Sequence, residues 1–274
     1  MPQISSWTDL LIQVISEDIG RIAWNSFLAL VPLVLSFSLF YQPRSRWFSN
    51  VTYILLTISF IVGIKKYNNG DLLVSLVRTL AVWWEDSTIL TLISLCSIVL
   101  LVTVDRRFRS PPARNRSLLW WIGLCLFTAI LPNAPYILTD VIHFYDAVRA
   151  IDSAWTITLV VVPIYLIFIG VGWFAYVFSL INVGRYLMTS HLDNYINIAE
   201  LSLHFLCAIG IYIGRFLRFN SWNIVTHPQK IISVLPEELI GKFPVVVILL
   251  TFSIIALLYA ICKPMGARSS VYRA

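Results

Sequence analysis

Apolar residues in this chain run in long, nearly unbroken blocks, and the polar positions are confined to the gaps between them. A helix rising about 1.5 Å per residue needs about twenty apolar residues to cross about 30 Å of hydrocarbon. Six blocks come close to that requirement: Ile22–Tyr41, Ser87–Val104, Leu118–Leu138, Trp155–Asn182, Ala199–Phe219 and Phe243–Cys262. A seventh, Trp47–Ile64, is shorter but nearly uncharged and is counted with them. The pattern predicts an all-α, polytopic transmembrane helix bundle of about seven spans. Trp155–Asn182 is longer than one straight crossing requires, so either Pro163 kinks it or the helix tilts.

Two other segments read as amphipathic helices lying in the headgroup plane. In the first, Ile4, Trp7, Leu11 and Val14 recur at helical spacing, and Ser6 with Asp9 resembles a capping box. In the second, Leu73, Leu76, Val77, Leu80 and Trp84 form a stripe behind Asp71. No internal repeat, low-complexity tract or linker divides the chain, so residues 1–274 read as a single integral membrane domain.

Composition agrees with lipid as the main solvent. Of 274 residues, 58% are hydrophobic and 12% are charged, against about 25% charged in a soluble domain. The net charge of +6 does not point to nucleic acid, because its densest run, Arg106, Arg107, Arg109, Arg114 and Arg116, is wedged between two apolar blocks. That is where a cytoplasmic loop keeps its arginines. With seven spans and the N-terminus outside, the inner side holds eleven of the 20 Lys and Arg. The C-terminus is then cytoplasmic. Cys96, Cys125, Cys207 and Cys262 lie inside apolar blocks without close spacing, which excludes a disulfide framework or zinc signature and leaves buried small hydrophobes. The first twenty residues carry no Lys or Arg, so no signal peptide is read there.

Polar groups kept at membrane depth are costly and carry whatever chemistry exists. One cluster ends the fourth block: Asn133, Tyr136, Asp140 and His143, behind Pro132 and Pro135. Two prolines three residues apart remove two backbone donors and must distort the helix. If helix resumes after Pro135, Tyr136, Asp140 and His143 share one face with Asn133. An Asp and a His one turn apart suit a proton, a metal or a cationic group; alternatively Asp140 caps a helix and His143 sits in a wet loop. The second cluster is the face Glu200, His204, Cys207, Ile211, Arg215 and Arg218 of the sixth block, with Tyr212 beside it. Its arginines either snorkel to headgroups or turn inward to hold an anion, which the guanidinium fork suits. Gly210 and Gly214 form a small-xxx-small pair that admits a neighbouring helix. Two spans separate the ends of the fourth and sixth blocks, so both clusters open on one face, together with Arg21, Trp24 and Asn25. Asp140 with Arg215 or Arg218 is also a structural ion pair in prospect.

At these residues the sequence resembles an uncharacterised family of bacterial membrane proteins, domain of unknown function 1361. The resemblance rests on Leu131–Asp140 with His143, on Gly210–Trp222, and on Arg21-Ile22-Ala23-Trp24-Asn25 ahead of a Leu/Pro-rich span. It covers the first span and residues from about 118 to 262, and makes residues 42–117 an insertion carrying two extra spans. It implies a multi-pass protein of the bacterial plasma (inner) membrane and no activity.

Neither a nucleophile elbow, a phosphate-cradling glycine loop, an HExxH pair nor a cofactor fingerprint occurs, so no cofactor and no metal is expected. Three classes remain: a structural or assembly factor of the membrane; a transporter or binding protein for a small anionic ligand; and a membrane enzyme acting on a lipid-linked or anionic substrate. In the last, Arg215 and Arg218 clamp and Asp140 or His143 serves as acid–base. The expected partners are membrane lipids and an anionic small molecule or lipid headgroup.

Overall fold

The computed structural model describes residues 7–40, 46–67, 118–149, 151, 153–217 and 242–268. Every element among them is helical. In chain order these are α1 (Trp7–Leu39), α2 (Arg46–Tyr67), α3 (Leu118–Ile130), α4 (Asn133–Tyr136), a 3₁₀ turn (Ile137–Asp140), α5 (Val141–Arg149), α6 (Ala154–Thr189), a short 3₁₀ turn (Asp193–Tyr195), α7 (Ile196–Arg215) and α8 (Lys242–Arg268). Five stretches are long and apolar enough to cross a membrane: Ile19–Leu39, Trp120–Arg149, Ala154–Thr189, Asp193–Arg215 and Phe243–Pro264. The expected span Ser87–Val104, the Arg106–Arg116 loop and the Leu73–Trp84 stripe lie outside the described residues.

α1 is the axis of the fold. Of its most apolar window 72% is buried, against 17% for α8, so α1 is wrapped by protein while α8 turns most of its apolar surface outward. Large apolar side chains such as Leu166, Ile167, Leu250 and Ile261 stand exposed on the outer faces, as lipid-facing positions do. α2, α3 and α6 pack on α1. Between α1 and α6 a buried polar bond crosses the apolar core: Asn182 Nδ2 donates to Ser36 Oγ at 2.8 Å, and Ser36 in turn donates to the Leu33 carbonyl at 2.7 Å. At the end of α1, Trp120 Nε1 of α3 donates to the Leu39 carbonyl at 3.0 Å.

Three departures from the sequence expectation have physical causes. First, residues from Trp7 onward are not a separate surface helix; they form the opening turns of α1, a continuous helix of 33 residues. Second, the fourth block does not stop at Leu138. It breaks at the prolines, tightens into the 3₁₀ turn, and continues as α5 to Arg149. Third, Pro163 acts before its own position. α6 opens with one α turn, widens into a π-helix over Ile157–Val161, and becomes regular from Val162. A proline supplies no N–H to the turn below it, and a π segment is one way for the backbone to accommodate that.

α6 and α7 are joined by a tight reversal. His191 takes a left-handed backbone, φ 57°. Its N–H reaches the Met188 carbonyl (3.1 Å), while the Leu192 N–H reaches back to Leu187 (2.9 Å). These two bonds make the Schellman closure of a helix end. The short connection makes α6 and α7 antiparallel neighbours, which places the end of α7 beside the proline break.

Candidate functional site

The break itself comes first, because it builds the site. In an unbroken helix the Ile130 carbonyl would accept from the Ala134 N–H. Here the Ala134 N–H turns to Leu131 (3.1 Å), and Asn133 Nδ2 donates to the Ile130 carbonyl at 2.8 Å instead. Asn133 thus satisfies a carbonyl freed at membrane depth, as such carbonyls must be. The Pro132 ring occupies the space above Gly210 of α7: a Cβ on Gly210 would stand 2.7 Å from Pro132 Cβ and Cγ. The glycine predicted to admit a neighbouring helix therefore admits the proline turn.

That close approach brings the end of α7 onto the 3₁₀ turn. Arg215 Nη2 donates to the Thr139 carbonyl at 3.0 Å and Nη1 to the Tyr136 hydroxyl at 3.3 Å, with the guanidinium 5.8 Å from the Tyr136 ring centre. Asp140 Oδ1 lies 3.7 Å from Arg215 Nη1, an ion pair longer than a hydrogen bond. From the other side α1 supplies Asn25, whose Nδ2 donates to Asp140 Oδ2 at 2.9 Å, and Arg21, whose Nη1 donates to the same oxygen at 3.3 Å. Arg21 Nη2 donates to the Tyr165 hydroxyl of α6 at 2.8 Å. Asp140 is 1% exposed, while the arginine side chains keep 24% (Arg21) and 19% (Arg215) of their surface. One buried carboxylate thus sits between two partly open guanidiniums, at the meeting point of α1, the proline break, α6 and α7.

The structure gathers Tyr136, Asp140 and Arg215, joins to them Arg21 and Asn25, which the sequence arrangement places on the same face, and adds Thr139 and Tyr165. Tyr165 carried a readable signal, since a tyrosine deep in an apolar block needs a partner for its hydroxyl. Tyr212 is not part of the cluster: it turns to α8, packing with Ala208 and Ile248 and stacking on Phe216 at 5.0 Å. Three residues before Arg215 on the helix, it points about 60° away. His143 follows on α5 and is half-buried, Gly214 is half-buried near the end of α7, and Arg218 lies outside the described residues. Among the described residues no group of three or more His, Cys, Asp or Glu side chains gathers that could hold a metal ion.

A second polar network occupies the other end of α7, about 22 Å away along the helix. Glu200 accepts from Tyr259 (2.8 Å) and from Lys263 (2.7 Å), both on α8. One turn on, His204 Nδ1 is 2.6 Å from the Tyr176 hydroxyl of α6, and its ring lies 4.8 Å from that of Tyr259. The Glu200, His204 and Cys207 face foreseen in the sequence is thus buried, and its partners come from α6 and α8.

A family described as protein of unknown function (DUF1361) matches residues 87–257, more than half of the chain. The chain belongs to that family. Tyr136, Thr139, Asp140, Tyr165 and Arg215 fall inside the matched region of this DUF1361 protein, and Arg21 and Asn25 fall outside it. The match takes in residues 87–117 as well. No curated protein and no solved structure matches the chain.

Proposed function

We propose that this DUF1361 protein is a multi-pass protein of the bacterial plasma membrane that binds an anionic group at the Arg21–Asp140–Arg215 cluster. On this reading α2 and the Ser87–Val104 block complete a bundle of seven spans, and the cluster opens on the extracytoplasmic side. The observation that carries the proposal is the state of Arg215. Its two hydrogen bonds go to uncharged oxygens, those of Tyr136 and Thr139, and its carboxylate partner stands off at 3.7 Å. A guanidinium presents five N–H donors in a planar fork suited to phosphate or carboxylate. Arg215 therefore keeps donor capacity among the described residues while Asp140 and Tyr136 fix its orientation. The same contacts tie α1, the proline break and α7 together, which is all that a structural or assembly factor would need. Ligand-dependent stabilisation separates the two.

The test is thermal unfolding of the purified chain in detergent with inorganic phosphate, sn-glycerol 1-phosphate or phosphatidylglycerol added. At least one of these should stabilise the wild type, by about 2.7 kcal/mol at a hundredfold excess over its dissociation constant. Arg215→Gln should remove most of that gain. A wild type indifferent to all three anions, or an Arg215→Gln variant that responds equally, would leave the structural reading in place.

A further inference from the structure

Beside the polar cluster an apolar groove of about 320 Å³ opens between α1, α2 and α6. Its walls include Ile22 and Leu30 of α1, Leu55 and Ser59 of α2, and Tyr165 and Phe168 of α6. Tyr165 belongs to both features. Its ring lines the groove, and its hydroxyl accepts from Arg21 Nη2 at 2.8 Å. Arg21 does not line the groove itself but stands one hydrogen bond behind its wall, at Tyr165. Along α1 its lining runs from Ile19 to Leu30, about 16 Å of helix, close to the roughly 15 Å of half a hydrocarbon core. Arg21 lies near the end of the apolar stretch Ile19–Leu39, where a headgroup sits.

A groove one leaflet long, apolar along its walls and with a guanidinium directly behind the wall residue Tyr165, matches one amphiphile in shape and charge. We infer that it holds one chain of an anionic membrane lipid, whose phosphate is received by Arg21 and Arg215. This rests on the anion-site reading above and names its ligand class. The Arg21 side chain keeps 24% of its surface exposed beside Asp140 and Tyr165. The π segment Ile157–Val161 ends at Val161, a lining residue of the same groove, and such segments recur at functional sites.

Native mass spectrometry of the full chain in mild detergent tests this with three probes: phosphatidylglycerol, phosphatidylcholine of the same chains, and sn-glycerol 1-phosphate. One phosphatidylglycerol should be held at least about tenfold more tightly than phosphatidylcholine, a difference of 1.4 kcal/mol. Ser59→Phe, which fills the groove, should weaken phosphatidylglycerol by about tenfold or more. Leu55→Trp, at an exposed position of the wall, blocks the same groove should Ser59→Phe fold poorly. Arg215→Gln should erase the preference between the two lipids. If sn-glycerol 1-phosphate binds as tightly as the lipid, and Ser59→Phe leaves it unchanged, the anion site stands and the lipid assignment is overturned. Equal retention of both lipids marks ordinary bulk lipid contact and also overturns it. No retention of phosphatidylglycerol, as when another part of this chain fills the groove, overturns it too; loss of both anionic probes removes the anion site as well.

Discussion

Asp140 organises the polar centre because three donors from two helices converge on one buried carboxylate. Arg21 and Asn25 share Oδ2, and Arg215 faces Oδ1 at a longer distance. An ion pair restricted to Asp140 and Arg215 would lose everything on removal of either member. The arrangement found predicts an asymmetry instead. Asp140→Leu takes away the carboxylate that both guanidiniums contact, and should cost about 3–5 kcal/mol. Arg215→Leu leaves Asp140 with Arg21 and Asn25, so the loss should stay within about 1.5–3 kcal/mol, that of one interaction with a charged group. Chemical unfolding of both variants in detergent compares them; equal losses would mean that Arg215 alone carries the carboxylate. The pairing of Asp140 with Arg215 was legible in the sequence through the parity of crossings alone. The bond of Asn25 to Asp140 and that of Tyr165 to Arg21 were not, although Asn25 was placed on this face and Tyr165 needed some partner, because neither polarity nor spacing tells which of several buried polar groups will meet when helix rotation is set by packing.

At the scale of elements, the proline break and its glycine neighbour act as one device. Pro132 and Pro135 remove backbone donors, Asn133 closes one of the freed carbonyls, and Gly210 leaves room for the Pro132 ring. Gly210→Ala should therefore push α7 off the 3₁₀ turn, costing about 1–3 kcal/mol through overpacking. Gly170 of α6 is the control. A Cβ there meets nothing within 4 Å, so Gly170→Ala should be neutral or gain up to about 1 kcal/mol of helix propensity. Equal effects of the two substitutions on thermal stability would dissolve the claim of a close contact at Gly210. The break and the small-residue contact were both readable, since proline and glycine act through their own backbones. The π segment of α6 was not. Ile157–Val161 lies in a block apolar on every face, where periodicity carries no phase and a one-residue widening leaves no trace. The opening turns of α1 were misread for a related reason: an amphipathic stripe does not say whether its helix ends or runs on.

For the whole molecule the fold reduces the sidedness of the cluster to one binary choice. α6 and α7 run antiparallel, so the proline break before α6 and the end of α7 share a face, and Arg21 of α1 joins them there. The opposite face carries Glu200 and Lys263, whose side chain stays 39% exposed while paired. Short basic loops stay in the cytoplasm, and the arginine-rich stretch 105–117 precedes α3, at the end away from the break. The Lys263 face is therefore expected to be cytoplasmic and the Arg21–Asp140–Arg215 face extracytoplasmic. Single cysteines placed after replacement of Cys96, Cys125, Cys207 and Cys262 decide the matter. Ala154→Cys reports the cluster's face from an exposed position and spares the Ser153 hydroxyl that caps the helix. Ser110→Cys reports the arginine loop. In intact cells an impermeant thiol reagent should modify the first and spare the second. The reverse pattern would turn the molecule over and place the anion site on the cytoplasmic face. A lipid in the groove would then come from the inner leaflet, whose anionic lipids juxtamembrane Lys and Arg attract by about 1 kcal/mol each. Labelling at both positions would break the parity of crossings itself, and with it the reason for expecting the arginine loop and the cluster on opposite faces.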